Sequence, residues 1–181
     1  MIRYVALLRG INVGGRNLIK MQDLARVFTQ MGFKNVRTHI QSGNVIFDGV
    51  KSEPNALRRK IERELLKSLG HEGSVMLRTL EDLEGIVKRN PFKTSKPGDD
   101  VVMFVTFLSA EPEHKPSLPL QSSRENLEVL AIKDRAAFTL VRRKRTGRFG
   151  YPNNFIEKEL VVSATTRNWT TIEKIVALAK S

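Results

Sequence analysis

Most of the chain's anion-binding chemistry sits in one run, Leu8-Arg9-Gly10-Ile11-Asn12-Val13-Gly14-Gly15-Arg16-Asn17, directly after the first apolar stretch. Gly10, Gly14 and Gly15 allow positive φ and let another group approach the main chain closely. Arg9 and Asn12 place donors among them. Such a loop either cradles an anion in a nest of backbone amides or simply reverses the chain. Gly10 and Gly15 have phosphate-loop spacing. In a phosphate loop, however, Lys and then Ser or Thr follow, for the terminal phosphates and Mg²⁺. Arg16 and Asn17 stand there instead, and helical periodicity resumes only near Met21. That excludes a P-loop nucleotidase.

Gln41-Ser42-Gly43-Asn44 is the second polar segment: a turn by composition, or a rim presenting small polar side chains beside a strand end. Thr165-Thr166-Arg167-Asn168-Trp169 precedes the last helical pattern. Its Thr166 or Asn168 would cap that helix and Trp169 would anchor it, while Arg167 would hold an anion at the helix N-terminus. Arg142-Arg143-Lys144-Arg145 with Arg148, Phe149 and Tyr151 is the densest basic run with aromatics beside it. Single-stranded nucleic acid is held by such a combination, and a solvated loop has the same composition. His39, His71 and His114 are scattered without metal-ligand spacing, so neither metal nor cofactor is expected. No nucleophile elbow occurs, and no catalytic constellation is recognisable.

The elements that must position these residues follow from periodicity. Ile2–Leu8 reads as a strand buried on both faces. Met21, Leu24, Val27, Phe28 and Met31 fall at helical spacing, with Gly32 as the stop. Val36–Gln41 and Asn44–Phe47 form a hairpin about Ser42-Gly43. A helix opened by Ser52-Glu53-Pro54 closes at Gly70, and Ser74–Arg78 is the next strand. This β-α-β-β-α-β order is the ferredoxin-like split unit, with one sheet face wet, liganded or packed. It brings the 41–44 tip beside the 9–15 loop.

In the second half, Thr79-x-x-Asp82 caps a short helix and Val101–Leu108 is a buried strand. Ala110–Ser123, with three prolines, reads as a connection with a helical turn. Glu128–Ile132 and Ala136–Arg142 form a hairpin, and Asn153 or Asn154 caps a helix in which Glu157 completes a capping box. The expectation is an α+β fold: a ferredoxin-like half over residues 1–79 packed with a related α+β half over 80–181 as one compact unit.

Lysine and arginine number 31 against 19 acidic residues, a net charge of +12, which points to an anionic small molecule or to nucleic acid. Cysteine is absent, which excludes a disulfide scaffold and a thiolate site. No apolar run reaches the roughly 20 residues that span a bilayer, and no secretory leader is evident, so a soluble cytoplasmic protein without membrane association is expected.

Tyr4–Gly15, Gln41–Phe47, Asn154–Lys158 and Ala164–Trp169 together resemble the bacterial domain of unknown function 1697 family, and the likeness runs over essentially the whole chain. The resemblance implies a small cytoplasmic α+β protein with ferredoxin-like halves and implies no reaction. Two function classes follow from the residues. The first is an anionic-ligand pocket of Arg9, Gly10, Asn12, Gly14, Gly15, Gln41, Ser42 and Asn44, closed by Arg167 and Asn168. The alternative is a nucleic-acid surface of Arg142, Arg143, Lys144, Arg145, Arg148, Phe149 and Tyr151. A module that self-associates through an open sheet face is a third reading.

Overall fold

A computed structural model of the chain describes residues 1–13, 15, 18–95, 98–114 and 116–181. The chain divides into two units, Met1–Glu84 with Ile175–Ser181, and Gly85–Lys174. Both are α+β, each built on an antiparallel sheet.

In the first unit the strands β1 (Ile2–Leu8), β2 (Lys34–His39), β3 (Asn44–Gly49) and β4 (Val75–Thr79) lie in the order β2-β3-β1-β4. The helices α1 (Met21–Gln30) and α2 (Pro54–Leu69) supply Leu24, Val27, Phe28, Leu57, Ile61 and Leu65 to the core. Phe47 is its centre, with ring centroids 4.4 Å from Phe33, 5.2 Å from Phe28 and 5.5 Å from Tyr4. Side chains alternate across a strand, so Tyr4, Ala6 and Leu8 face this core while Val5 and Leu7 point the other way. Val5, Leu7, Ile46 and Met76 are nonetheless at most 2% exposed. β1 is therefore buried on both faces, as its apolar run predicts.

Local chemistry explains the ends. Glu53 caps α2, its carboxylate accepting from the Asn55 and Ala56 amides at 2.8 and 2.6 Å, and Gly70 closes the helix in the left-handed region. Thr79 and Asp82 form the expected capping box at 2.8 and 3.1 Å, opening α3 (Leu80–Arg89).

The second unit reuses this frame. Its strands β5 (Val101–Leu108), β6 (Leu120–Ser122), β7 (Leu127–Lys133), β8 (Ala136–Arg142) and β9 (Ala164–Asn168) run in the order β6-β7-β8-β5-β9. Leu8 N donates to Gly43 O and Arg9 N to Ser74 O; correspondingly, Leu108 N donates to Arg135 O and Ser109 N to Ser163 O. Val5 pairs with Arg78 as Val105 pairs with Arg167. Arg78 and Arg167 are both buried, and each donates to the carbonyl of the residue before it. Each strand then runs directly into a helix, α3 after β4 and α5 (Trp169–Lys180) after β9. No such correspondence is readable in the residues themselves.

Several local expectations change. Among its described residues the proline-rich connection carries no helical turn; it ends in the short strand β6, and prolines 112, 116 and 119 withhold the amides a helical turn would use. Ile40 and Gln41 leave the predicted strand for a single 3-10 turn at Ile40–Ser42. Helix α4 (Asn153–Leu160) is preceded by Pro152, not capped by either asparagine. Asn153 is buried, and its side-chain oxygen accepts from Thr166 Oγ1, which bonds Thr106 Oγ1 at 2.8 Å. Glu157 accepts from Ala164 N at 2.7 Å, so it ties α4 to β9 instead of completing a capping box. Thr166 is thereby a core strand residue, while Trp169 does anchor its helix, 5.2 Å from Phe92 in an edge contact.

Helix α4 ends on Val161 at φ 53°, 85% exposed. A β-branched residue pays heavily for the left-handed region, and Asn tolerates it. Val161→Asn should raise stability by about 1 kcal/mol. In thermal melts that is an increase of roughly 2–4 °C for a chain of this size.

Candidate functional site

The 9–15 loop and the hairpin tip meet at the end of β1, as the element order predicts. Gly43 takes φ +73°, and a Cβ there would lie 2.5 Å from Ile11 Cγ2 and 2.9 Å from Leu8 Cβ. Only glycine lets the tip close onto the loop. Asn12 completes the joint: its Nδ2 donates to Ile19 O at 3.0 Å and Gln41 O at 3.2 Å, and its Oδ1 accepts from Ile19 N at 2.8 Å. Asn44, fully buried, donates to His39 O and Ser42 Oγ at 3.0 and 2.9 Å. These two asparagines act as braces, and their side-chain donors, expected to face a ligand, are spent on the scaffold.

What the braces leave at the rim is different in kind. Gly10 and Gly15 both take φ +70° with open space where a Cβ would stand. Gln41 is exposed, and Arg9 is half-buried with its amide fixed on Ser74 O at 2.9 Å. Beside that fixed point only glycine fits at position 73, where a Cβ would meet Arg9 O at 2.2 Å and His71 Nε2 at 2.5 Å. Burial holds the His71 imidazole below its ordinary pKa, so it is neutral near pH 7. Ile40, on the tip, is 52% exposed and strained at φ 49°. Gly14 falls outside the described residues.

Arg167 and Asn168 belong to the second unit. Arg167 is 8% exposed, its Nη1 donating to Thr165 Oγ1 at 2.8 Å and Thr166 O at 2.9 Å. Desolvation lowers its pKa to about 10, and it still carries a full charge at neutral pH. Asn168 is exposed at the strand end.

The basic run is largely engaged within its own unit. Arg142 pairs with Glu128 at 3.4 Å, Arg143 with Asp100 at 2.9 Å and Lys144 with Glu125 at 3.1 Å. Arg143 also lies over the Phe149 ring, 4.7 Å from its centroid. Tyr151 packs edge-on against Phe104 at 5.7 Å and donates its hydroxyl proton to Thr166 O at 3.1 Å. Arg145 and Arg148 remain exposed, and a groove of about 440 Å³ runs past Arg142, Lys144 and Arg145 to Asn126. Sequence spacing displayed the cations but not the acids that fold back onto them, since Asp100, Glu125 and Glu128 come from other strands and turns.

The sequence also gave no warning of a cleft of about 500 Å³ in the second unit, between the turn after β6 and α4. Tyr151 and Lys158 stood there only as part of a basic run and a helix pattern. Among the described residues no cluster of acidic or histidine side chains is gathered that could hold a metal, and no helix is long and apolar enough to cross a membrane.

An α+β chain with two antiparallel sheets and a braced glycine-rich rim is the class these features define. The chain belongs to the family described as Protein of unknown function (DUF1697), which matches residues 1–138. It is also similar over 98% of both chains to the conserved bacterial protein SP0830 from Streptococcus pneumoniae, at 25% identity and a TM-score of 0.67. In the comparison with curated proteins nothing matches.

Proposed function

We propose that the first unit binds a small anion, inorganic or phosphorylated, at the rim where the 9–15 loop meets the hairpin tip. The observation that carries this reading is the Asn12 brace. It fixes loop and tip together while Gly10 and Gly15, at positive φ, keep open space beside their backbone. In this reading the loop's amides line a concavity that needs no ordering when its ligand arrives, and the net charge of +12 draws anions toward it. Arg9 supplies the charged contact and the glycine amides the rest, while Asn12, Ser42 and Asn44 hold the shape. Arg167 lends no direct support, because its guanidinium is buried on Thr165 and Thr166. The polyanion alternative draws less support as well, since three of its five cations are paired with carboxylates.

Thermal melts with pyrophosphate test it. A ligand at about 100 times its Kd stabilises by about 2.7 kcal/mol, a shift of roughly 5–10 °C for this chain length. Arg9→Gln should abolish the shift, measured against the variant's own unliganded melt. The absence of any shift in the wild-type chain with phosphate, pyrophosphate and ribose 5-phosphate would refute the reading.

A further inference from the structure

The second unit carries a cleft of its own. Its volume of about 500 Å³ falls in the range of small-molecule pockets. One wall is the turn at Ser122–Glu125 and the other is α4, which presents Asn154, Phe155 and Lys158. The wall spacing is set by Gly150, where a Cβ would meet Glu125 O at 2.2 Å, so only glycine lets the 148–151 segment lie against that turn.

Tyr151 is the informative residue. It is 54% exposed, which leaves a large aromatic surface in water, yet both its ring and its hydroxyl have fixed partners. Its hydroxyl is bonded to Thr166 O, and its ring is seated at 88° against Phe104. A rigid, half-exposed ring presents contact area that costs little entropy to use. Phe155, half-buried, adds a second aromatic to the same cleft.

The charges sort in the same direction. Glu125 is held by Lys144 at 3.1 Å, which neutralises its carboxylate in place, while Arg124 Nε reaches the same group only at 3.7 Å. Lys158 and the 93%-exposed Arg124 stand at the mouth with Glu159 as the remaining acid. With Glu125 answered by Lys144, the lining carries two cations, one remaining acid and two aromatic rings, the chemistry that suits a planar ring joined to an anionic group.

We propose that this cleft binds a nucleoside monophosphate, its base against Tyr151 and Phe155 and its phosphate at Lys158 and Arg124. The proposal is independent of the rim in the first unit, and the two fail separately. The chain contains two tyrosines, Tyr4 in the first core and Tyr151 in the cleft, so fluorotyrosine labelling yields one reporter for each unit. Titration of the labelled chain with the four nucleoside 5′-monophosphates should shift the Tyr151 resonance and leave Tyr4 in place. Adenosine, lacking phosphate, and ribose 5-phosphate, lacking the base, should each bind about tenfold more weakly than AMP. Lys158→Gln, a change on the exposed face of α4, should weaken AMP by about tenfold, whereas Arg9→Gln should not. The proposal is overturned if no monophosphate approaches saturation by roughly 10 mM, if ribose 5-phosphate binds as well as AMP, or if Lys158→Gln leaves AMP binding intact.

Discussion

Gly43→Ala is expected to cost about 3 kcal/mol, because it meets two penalties at once. At φ +73° an alanine carries the left-handed strain of a residue with a Cβ, about 1–2 kcal/mol. The new methyl would also stand 2.5 Å from Ile11 Cγ2 and 2.9 Å from Leu8 Cβ, and overpacking of that kind typically costs about 1–3 kcal/mol. Relief requires moving Ile11, itself 5% exposed, or prising the tip from the strand end where Gly43 O accepts from Leu8 N. The melting temperature should fall by roughly 6–12 °C. Gly70→Ala is the matched control: φ is +65° and the space is open, so it pays only for conformation, about 1 kcal/mol. If the two variants melt together, the contact between tip and loop contributes nothing to stability. Because displacement of Ile11 also drags Asn12, pyrophosphate binding at the rim should weaken in Gly43→Ala and survive in Gly70→Ala.

The same glycine shows what the sequence could reveal and what it could not. In the first unit the element order and helix limits were written in periodicity and in end residues, where Glu53-Pro54, Gly70 and the Thr79–Asp82 pair all act as their types predict. By contrast, β6 and β9 of the second unit were not foreseen. Neighbourhood of the 9–15 loop and the 41–44 tip followed from element order alone. Which polar groups at that rim face outward did not. Asn12 and Asn44 are good ligand-binding residues by composition, yet each satisfies backbone groups that only the folded loop leaves unpaired. Glu157 shows the same limit, since its position suits a capping box and its actual partner, Ala164 N, lies on a strand after the helix. The basic run fails for a third reason. Its cations are consecutive and conspicuous, while the carboxylates that answer them are spread over residues 100–128.

Asp48 should stabilise the first unit at neutral pH and lose that contribution in strong acid. Arg3 grips it in a fork, Nε to Oδ1 at 2.7 Å and Nη2 to Oδ2 at 2.9 Å, and Asn35 adds a bond at 2.7 Å. The hydrogen bonds from Arg3 are the main cause holding the carboxyl at about 2 against an ordinary 3.8. A depressed carboxylate binds its proton less readily folded than unfolded. Its contribution is thus complete above about pH 4 and fades as the pH falls through about 2. By linkage the shift corresponds to about 2.4 kcal/mol. Arg3 is a quarter exposed, so solvent screening reduces this to roughly 1–2 kcal/mol. The pair does more than join β1 to β3, since Arg3 also donates to Ala179 O and Arg37 reaches Leu178 O and Ser181 Oγ, tying the end of α5 to this sheet. Asp48→Asn should therefore lower stability by about 1–2 kcal/mol at pH 7, with the gap from the wild type narrowing between pH 4 and pH 2. Urea titrations of both chains across that range measure the gap directly. A difference that stays constant down to pH 2 would mean that the charge on Asp48 contributes nothing and that only the shape of its side chain matters.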